Sequence, residues 1–236
     1  MIRGMCGRYV LRMQEKYLRE LQIYGPPELL RVSYNVAPTQ PVPIVRWRDG
    51  RREGAVVRWG LIPFFARGVP PKYGTINARI ETFETAASYR GAWQRGQRCL
   101  QLASAFYEWH LDEHGHKAPY LIQLADQELL AFAALWDRSC KADGTVIESC
   151  VHLTMPGNEL MQQIHNTGNH PRRMPAILRT QDHETWLHGT PAEARAVLTP
   201  YPADLMVTYE VSPEVNSPKN DSPELIEPVR RSARRS

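Results

Sequence analysis

The chain lacks the features that would place it in several common functional classes. Its 236 residues contain no apolar run long enough to span a membrane, which takes about 18 residues or more. The first residues, Met1-Ile2-Arg3-Gly4, do not resemble the apolar region of a signal peptide. We therefore expect a cytoplasmic protein with no membrane partner. The sequence also lacks a phosphate-binding Gly-rich loop, a Gly-x-Ser-x-Gly elbow and a zinc-protease helix, which argues against nucleotide-binding and serine-hydrolase functions.

Cysteine is scarce, and its spacing indicates neither a disulfide framework nor a zinc site. The four cysteines, none of them in a Cys-x-x-Cys pair, are Cys6, Cys99, Cys140 and Cys150. Three histidines have a spacing that hints at metal binding, but they lie in a charged segment that predicts a solvated hairpin turn: His110, His114 and His116. We expect reduced cysteines, no metal and no cofactor.

Length and composition favour one globular domain, which we place at residues 6–229. The 42% hydrophobic content is ordinary, and the net charge of +4 permits an anionic partner without requiring one. Nineteen prolines are spread along the chain, which indicates many ordered loops. Residues Val42–Arg48, Asp49-Gly50 and Ala55–Trp59 predict a β-hairpin.

Strands outnumber helices in the remaining pattern, which predicts a mainly antiparallel sheet system with scattered short helices. The strand predictions are Cys99–Leu102, Tyr107–His110, Tyr120–Leu124, Leu129–Leu135, Val146–Thr154 and Met206–Tyr209. The helix predictions are Glu15–Tyr24, Ala86–Gln94, Asn158–Ile164, Asp182–Leu187 and Pro191–Leu198. The C-terminal residues 230–236, rich in arginine, are expected to be a disordered basic tail.

Cys6 follows Met5, and this pair resembles an initiator methionine before a small residue. Removal of everything before Cys6 would leave a residue with both a free α-amine, with a pKa of about 7.7–8.0, and a thiol, with a pKa of about 8.5. Such a terminus forms an imine with an aldehyde and then closes a thiazolidine ring through sulfur. The alternative is an ordinary buried thiol, the commoner fate of a free cysteine.

Three further stretches carry groups suited to acid–base chemistry or anion binding. Glu108 stands among aromatic residues, where a desolvated carboxyl would have a raised pKa, although it could equally point outward from a half-buried strand. Asn77, Arg79 and Glu81 would share one face of a strand, which is also the pattern of a solvated polar face. His165 could shuttle protons. Its rival is His170, which lies between His165 and the pair Arg172-Arg173.

Two neighbouring aromatics, Phe64 and Phe65, follow a proline turn and precede Arg67. Paired aromatics usually belong to a core. When they are exposed beside basic residues, however, they stack on or wedge between nucleic-acid bases.

Taken together, these motifs resemble one family, the SRAP (SOS response associated peptidase) proteins, which process abasic sites in DNA. The resemblance spans nearly the whole chain. It is carried by Met5-Cys6-Gly7-Arg8-Tyr9, Tyr34-Asn35-Val36-Ala37-Pro38, Arg58-Trp59-Gly60-Leu61-Ile62-Pro63, Ile76-Asn77-Ala78-Arg79-Ile80-Glu81-Thr82, Arg98-Cys99-Leu100, Phe106-Tyr107-Glu108-Trp109, Leu135-Trp136-Asp137, Ile164-His165, Arg173-Met174-Pro175-Ala176-Ile177-Leu178 and 215–228.

The resemblance implies an α/β (α+β) fold with a bent, barrel-like, mainly antiparallel sheet and a basic groove for single-stranded DNA. By family position, the catalytic residues are Cys6, Asn77, Glu108 and His165. The implied DNA contacts are Arg8, Asn35, Trp59, Phe64, Phe65, Arg79 and Arg173.

The implied function is covalent linkage of Cys6 to the aldehyde of an abasic site during the response to DNA damage. Residues 1–5 would either be removed by the protein itself, an autopeptidase activity, or precede a translation start at Met5. Failure of ring closure would allow β-elimination, a lyase activity. We expect a monomer that associates with the nucleoid when bound to DNA. Two alternatives are a cysteine peptidase acting on other proteins and a noncovalent reader of modified or single-stranded DNA.

Overall fold

The computed structural model describes residues 6–72, 74–168 and 170–229, and these ranges form thirteen strands and five short α-helices. The strands are β1 Tyr9–Arg12, β2 Val32–Val36, β3 Pro41–Arg48, β4 Arg51–Trp59, β5 Asn77–Arg79, β6 Arg98–Ala103, β7 Ala105–Leu111, β8 Lys117–Leu124, β9 Leu130–Cys140, β10 Val146–Pro156, β11 Arg173–Pro175, β12 Ile177–Leu178 and β13 Met206–Glu210. The helices are α1 Glu15–Glu20, α2 Arg90–Gln94, α3 Glu159–Ile164, α4 His183–His188 and α5 Pro191–Ala196. The predictions for residues 1–5 and 230–236 lie outside the described residues.

Five strands close into a barrel in the order β10-β4-β3-β6-β9, with β9 pairing back onto β10. Every pair in this ring is antiparallel except the parallel pair of β10 and β4. A second sheet has the order β13-β8-β7-β1-β2 and is antiparallel throughout. The predicted barrel-like, mainly antiparallel α/β fold is confirmed.

The hairpin predicted from the sequence is present as strands β3 and β4. Its turn is formed by Asp49 and Gly50, whose φ angles of 51° and 75° are the left-handed values that a tight hairpin turn requires. Arg48 lies opposite Arg51 across this turn, so β4 begins four residues before the predicted Ala55.

Two of the predicted helices are each four residues shorter than expected. The helix predicted to reach Tyr24 ends at Glu20, because Tyr24 pairs with β4 instead: its N–H donates to the Arg52 carbonyl and its carbonyl accepts from Gly54. The helix predicted from Ala86 begins only at Arg90, after a series of turns.

Strands β1 and β2 were not predicted, yet β1 organises the functional end of the molecule. Tyr9, Val10 and Leu11 are all buried, so β1 lacks the alternation of buried and exposed residues that marks a half-buried strand. It lies between β2 and β7 in the second sheet, so the start of the described chain is close to this sheet. No helix within the described ranges is long and apolar enough to cross a membrane.

Candidate active site

Cys6, Glu108 and His165, which we call the Cys6 cluster, are brought together by three separate elements. Cys6 lies three residues before β1, and this stretch runs alongside β7 because Tyr107 N–H donates to the Arg8 carbonyl at 3.0 Å. Glu108 follows Tyr107 on β7, and His165 is the residue directly after helix α3. The Cys6 sulfur, a Glu108 carboxylate oxygen and a His165 ring nitrogen all lie within 4.8 Å of one another.

The His165 ring is oriented by the backbone of β11. Its Nδ1 lies 2.9 Å from the carbonyl oxygen of Arg173, so Nδ1–H is the donor and the other nitrogen is left for chemistry. That nitrogen, Nε2, lies 3.7 Å from Oε2 of Glu108. The two side chains therefore form a histidine–carboxyl pair in ion-pair contact, and proton transfer between them requires one bridging water or a small side-chain movement.

Burial affects the protonation of both Glu108 and Cys6. Glu108 is only 2% exposed, and burial raises the pKa of its carboxyl despite the opposing effects of His165 and of the Cys6 thiol and N–H. Its Oε1 has no hydrogen-bond partner of normal geometry among the described residues. Burial, reinforced by the nearby Glu108, also raises the pKa of the Cys6 thiol, while Arg173 opposes the rise. The thiol therefore needs a partner to accept its proton when it reacts.

The backbone at Cys6 is strained. Its φ of 44° lies in the left-handed region, which costs a residue with a side chain about 1–2 kcal/mol. Surrounding contacts hold Cys6 in this conformation, with both its thiol and its N–H directed toward Glu108. Strain of this kind is common at active sites.

Arg173 and Glu81 form an ion pair next to the Cys6 cluster. The Arg173 guanidinium donates to both carboxylate oxygens of Glu81, at 2.8 and 2.9 Å, and to the carbonyl of Thr154 at 2.7 Å. Burial alone would raise the pKa of Glu81, but the hydrogen bonds from Arg173 bring it below its ordinary value. Because the Arg173 carbonyl holds His165, this ion pair fixes the position of the histidine.

The predicted polar face at 77–81 is only partly correct. Asn77 and Arg79 begin and end β5, opposite His152 and Thr154 of β10. Glu81 lies past the end of the strand, where the chain turns. Asn77 is half-buried, and its catalytic role stays a prediction.

The structure brings His165, and not His170, to Glu108. His170 is exposed and its ring contacts the guanidinium of Arg79. Among the three histidines whose spacing hinted at metal binding, His114 and His116 are exposed in the turn between β7 and β8, as the charged segment around them predicted.

Two predicted DNA contacts, Trp59 and Asn35, are buried in this structure. Trp59 is 0% exposed, because it packs against Tyr9 inside the barrel and its Nε1–H donates to the Ile76 carbonyl. Asn35 is also buried. Its amide donates to the carbonyls of Ser217 and Asn220, which ties β2 to the C-terminal segment. In this structure both side chains hold neighbouring segments together, and their role as DNA contacts stays a prediction.

Arg8 is partly committed to the same internal network. Its guanidinium donates to Oδ1 of Asn35 at 2.9 Å and to the carbonyl of Val215 at 2.7 Å. It remains only partly buried, and burial lowers its pKa.

Phe64 and Phe65 are exposed, as a base-stacking role requires. Each is 52% exposed, and their ring centroids lie 5.5 Å apart at nearly a right angle. The backbone N–H of Phe64 donates to Asp137 at 2.9 Å, and the guanidinium of Arg95 lies 4.5 Å from the Phe64 ring centroid. Arg95 also pairs with Asp137 at 2.8 Å.

The supporting residues Glu81, Arg95 and Asp137 were not assigned roles from the sequence. Asp137 lies in a motif shared with the family, and it is buried beside the loop that carries Phe64. The available signal was an aspartate directly after a long apolar run, because a carboxylate in such a strand needs partners if it is buried.

Comparison with known proteins gives the family. A model of the SOS response associated peptidase (SRAP) family matches residues 5–218. The chain is 38% identical over 230 residues to abasic site processing protein YoqW of Bacillus subtilis (strain 168), covering 94% of this chain and 99% of that protein. It is 30% identical over 241 residues to abasic site processing protein YedK of Escherichia coli (strain K12), and this match covers 95% of this chain and 100% of that protein. A crystal structure of a protein from Bordetella bronchiseptica is 30% identical, with a TM-score of 0.76, and the match covers 88% of this chain and 100% of that one. The chain belongs to the SRAP family.

Proposed function

We propose that this protein processes abasic sites in single-stranded DNA by linking itself covalently to them through Cys6. The observation that carries the proposal is the Cys6 cluster, which surrounds a cysteine at the start of the domain with a carboxyl and an oriented imidazole. The curated relatives are named abasic site processing proteins, which supports DNA containing abasic sites as the partner.

The chemistry begins once Cys6 carries a free α-amine. His165 assists opening of the abasic sugar by proton transfer, and the amine attacks the exposed aldehyde carbon. Loss of one water gives an imine, with Glu108 supplying and accepting the protons. The Cys6 sulfur then adds to the imine carbon, the thiol proton ends on nitrogen, and a five-membered thiazolidine ring closes. Asn77 positions the amine and the sugar.

The same groups expose the α-amine. The Cys6 sulfur attacks the carbonyl carbon of the peptide bond that precedes it, the acyl group moves from nitrogen to sulfur, and water hydrolyses the resulting thioester. The left-handed backbone at Cys6 supports this step, because cleavage releases the strain. Glu108 lies beside the leaving nitrogen and can protonate it. If ring closure fails in the later reaction, the imine allows β-elimination and hence lyase activity.

DNA is held outside the cluster by exposed aromatic groups and half-buried basic groups. Phe64 and Phe65 stack on or wedge between bases, and Arg79, Arg173 and the outer part of Arg8 attract phosphates. A single domain at residues 6–229 acting as a monomer suffices for this reaction. Because phosphate contacts release counterions, binding should weaken steeply with salt.

The test is incubation with a single-stranded oligonucleotide that carries one abasic site, followed by denaturing electrophoresis. We expect a heat-stable, slowly migrating band for the wild-type protein and for Cys140→Ser, whose cysteine is exposed and distant in sequence. Cys6→Ala should give none, and Cys6→Ser at most a weaker oxazolidine adduct.

Two other outcomes would replace the proposal. Salt-sensitive binding of equal strength in wild type and Cys6→Ala, with no covalent band, would indicate a noncovalent DNA reader. Cleavage of added protein substrates by a chain in which Cys6 is still internal, with no dependence on DNA, would indicate a cysteine peptidase.

A further inference from the structure

We propose that the Cys6 cluster is also a binding site for Zn²⁺, and that bound metal reversibly blocks the thiol of Cys6. Thiolate, imidazole and carboxylate are the three kinds of ligand that hold zinc in proteins, and here one of each converges from a different element. No other group of three such side chains lies this close together in the described part of the chain.

The distances suit a tetrahedral ion. Bonds of about 2.0–2.3 Å from zinc to nitrogen, oxygen and sulfur place neighbouring ligand atoms about 3.3–3.7 Å apart. Nε2 of His165 and Oε2 of Glu108 are already 3.7 Å apart, and the sulfur lies within 4.8 Å of a His165 ring nitrogen and of a Glu108 carboxylate oxygen. Small side-chain movements therefore complete three corners of the tetrahedron.

The ligand atoms are also prepared in orientation. The Arg173 carbonyl occupies Nδ1 of His165, which leaves Nε2 as the metal-binding nitrogen, the usual arrangement for a zinc-bound histidine. Oε1 of Glu108, although buried, has no hydrogen-bond partner of normal geometry in the described residues. A cation in the cluster would provide the interaction that this oxygen lacks.

The fourth corner depends on the state of Cys6. In the uncleaved chain Cys6 nitrogen is an amide, and water completes the coordination. Once the α-amine is free, nitrogen and sulfur of the same residue chelate the ion in a five-membered ring, so the cleaved protein should bind more tightly. The mixed sulfur and nitrogen ligands favour zinc over Mg²⁺ or Ca²⁺, which prefer oxygen.

The site is tested with Co²⁺ as a spectroscopic probe, added to the full chain without DNA. We expect a thiolate-to-metal charge-transfer band and the ligand-field bands of a four-coordinate ion, both removed by stoichiometric Zn²⁺. Cys6→Ser should lose the charge-transfer band, and Glu108→Gln and His165→Gln should each weaken binding at least about tenfold. Cys140→Ser and the double variant His114→Gln/His116→Gln, which alter exposed potential ligands, should leave the spectrum unchanged.

A stability measurement gives an independent readout. Zn²⁺ should raise the Tm of the wild-type chain and of Cys140→Ser, and should not raise that of Cys6→Ser. Absence of the charge-transfer band, or its persistence in Cys6→Ser, would overturn the site. So would a Zn²⁺-induced rise in Tm that is equal in wild type and Cys6→Ser.

The blocking effect rests on the proposed function, since it is measured as crosslinking to abasic DNA. Zn²⁺ should slow crosslinking by at least about tenfold at saturation, and a chelator should restore it. If no crosslink forms even without metal but the cobalt spectrum is present, the proposed function fails and the metal site stands. Normal crosslinking with saturated metal would overturn the blocking effect alone.

Discussion

Two buried groups in this molecule contain a cysteine, a histidine and a side-chain oxygen acceptor, yet only one is suited to chemistry. The first is the Cys6 cluster. The second, which we call the Cys150 cluster, consists of Cys150, Gln101 and His152 on strands β6 and β10 of the barrel. There the Cys150 sulfur lies 3.8 Å and the His152 Nδ1 3.3 Å from Oε1 of Gln101.

The difference lies in charge and position. In the Cys150 cluster the acceptor is a neutral amide, and burial between the Trp59 and Phe132 rings lowers the pKa of His152 to about 3, so the histidine stays uncharged. In the Cys6 cluster the acceptor is a titratable carboxyl, and in the proposed function the cysteine acts with a free α-amine. A reactive site therefore needs a titratable partner and access to the chain start, in addition to a cysteine and a histidine.

The largest predicted effect separates the two cysteines. Cys6→Ala should abolish crosslinking, because it removes the sulfur that closes the ring. Cys150→Ala should keep the crosslinking rate within about twofold, while losing about 1–3 kcal/mol of stability through the cavity left in the core. Gel-based crosslinking rates and thermal unfolding measure both. Equal rates in the two variants would remove the distinction between the clusters.

The next effect concerns the carboxyl. Glu108→Gln makes the Cys6 cluster resemble the Cys150 cluster, with an amide in place of the titratable group. We expect crosslinking to slow about 10²–10⁴-fold, the usual contribution of general acid–base catalysis. A loss below tenfold in single-turnover rate measurements would contradict the assigned role.

The same substitution should increase stability, with a defined pH dependence. Burial raises the pKa of Glu108 in the folded state, so the folded chain binds this proton more tightly than the unfolded chain. The associated stability is present below the unfolded pKa, about 4.3, and is lost as pH rises through the folded pKa. Because Gln is always neutral, Glu108→Gln should raise the Tm more at pH 8 than at pH 4. An equal Tm difference at both pH values would contradict the raised pKa.

A smaller effect tests the hydrogen bond between His165 and the backbone carbonyl of Arg173. His152 instead contacts the side chain of Gln101. Glu81→Gln breaks one ion pair of Arg173, and we expect a crosslinking rate about tenfold lower with an altered pH profile, because His165 loses its fixed orientation. The matched control is Glu84→Gln, which breaks an exposed pair with Arg195 at 3.2 Å. Equal pH–rate profiles for the two variants would show that Glu81 is structural only.

The smallest effect lies outside both clusters, at the exposed aromatic pair. Phe64→Ala and Phe65→Ala should each weaken binding of single-stranded DNA about five- to tenfold, as expected for the loss of one stacked base. The crosslinking rate at saturating DNA should not change. Fluorescence anisotropy at fixed salt measures the affinity, and an unchanged affinity in the double variant would exclude a stacking role.

The fold was predictable where local patterns carried the information. The β3–β4 hairpin followed from Asp49-Gly50 between apolar strands. The predicted helix at Asn158–Ile164 is α3, which the Asn158 side chain caps by accepting from the N–H of Met161. Strand β1 was missed because Tyr9, Val10 and Leu11 are all buried. The end of α1 was missed because Tyr24 pairs with β4, a contact between distant parts of the chain.

The Cys6 cluster was assembled from the family motifs, while its supports were not. The sequence gives no sign that Arg173 binds Glu81, because the two residues are 92 positions apart. The family motifs also predict that Trp59 and Asn35 lie along the DNA groove, and motif position alone does not reveal that both side chains are buried.

The most direct test of the account is the intact mass of the purified protein before and after incubation with a single-stranded oligonucleotide carrying one abasic site. If Cys6 reacts through a free α-amine, the starting mass should lack residues 1–5. The account then predicts an increase equal to the oligonucleotide mass less one water, absent in Cys6→Ala. A chain that keeps residues 1–5 and gains no mass would contradict it.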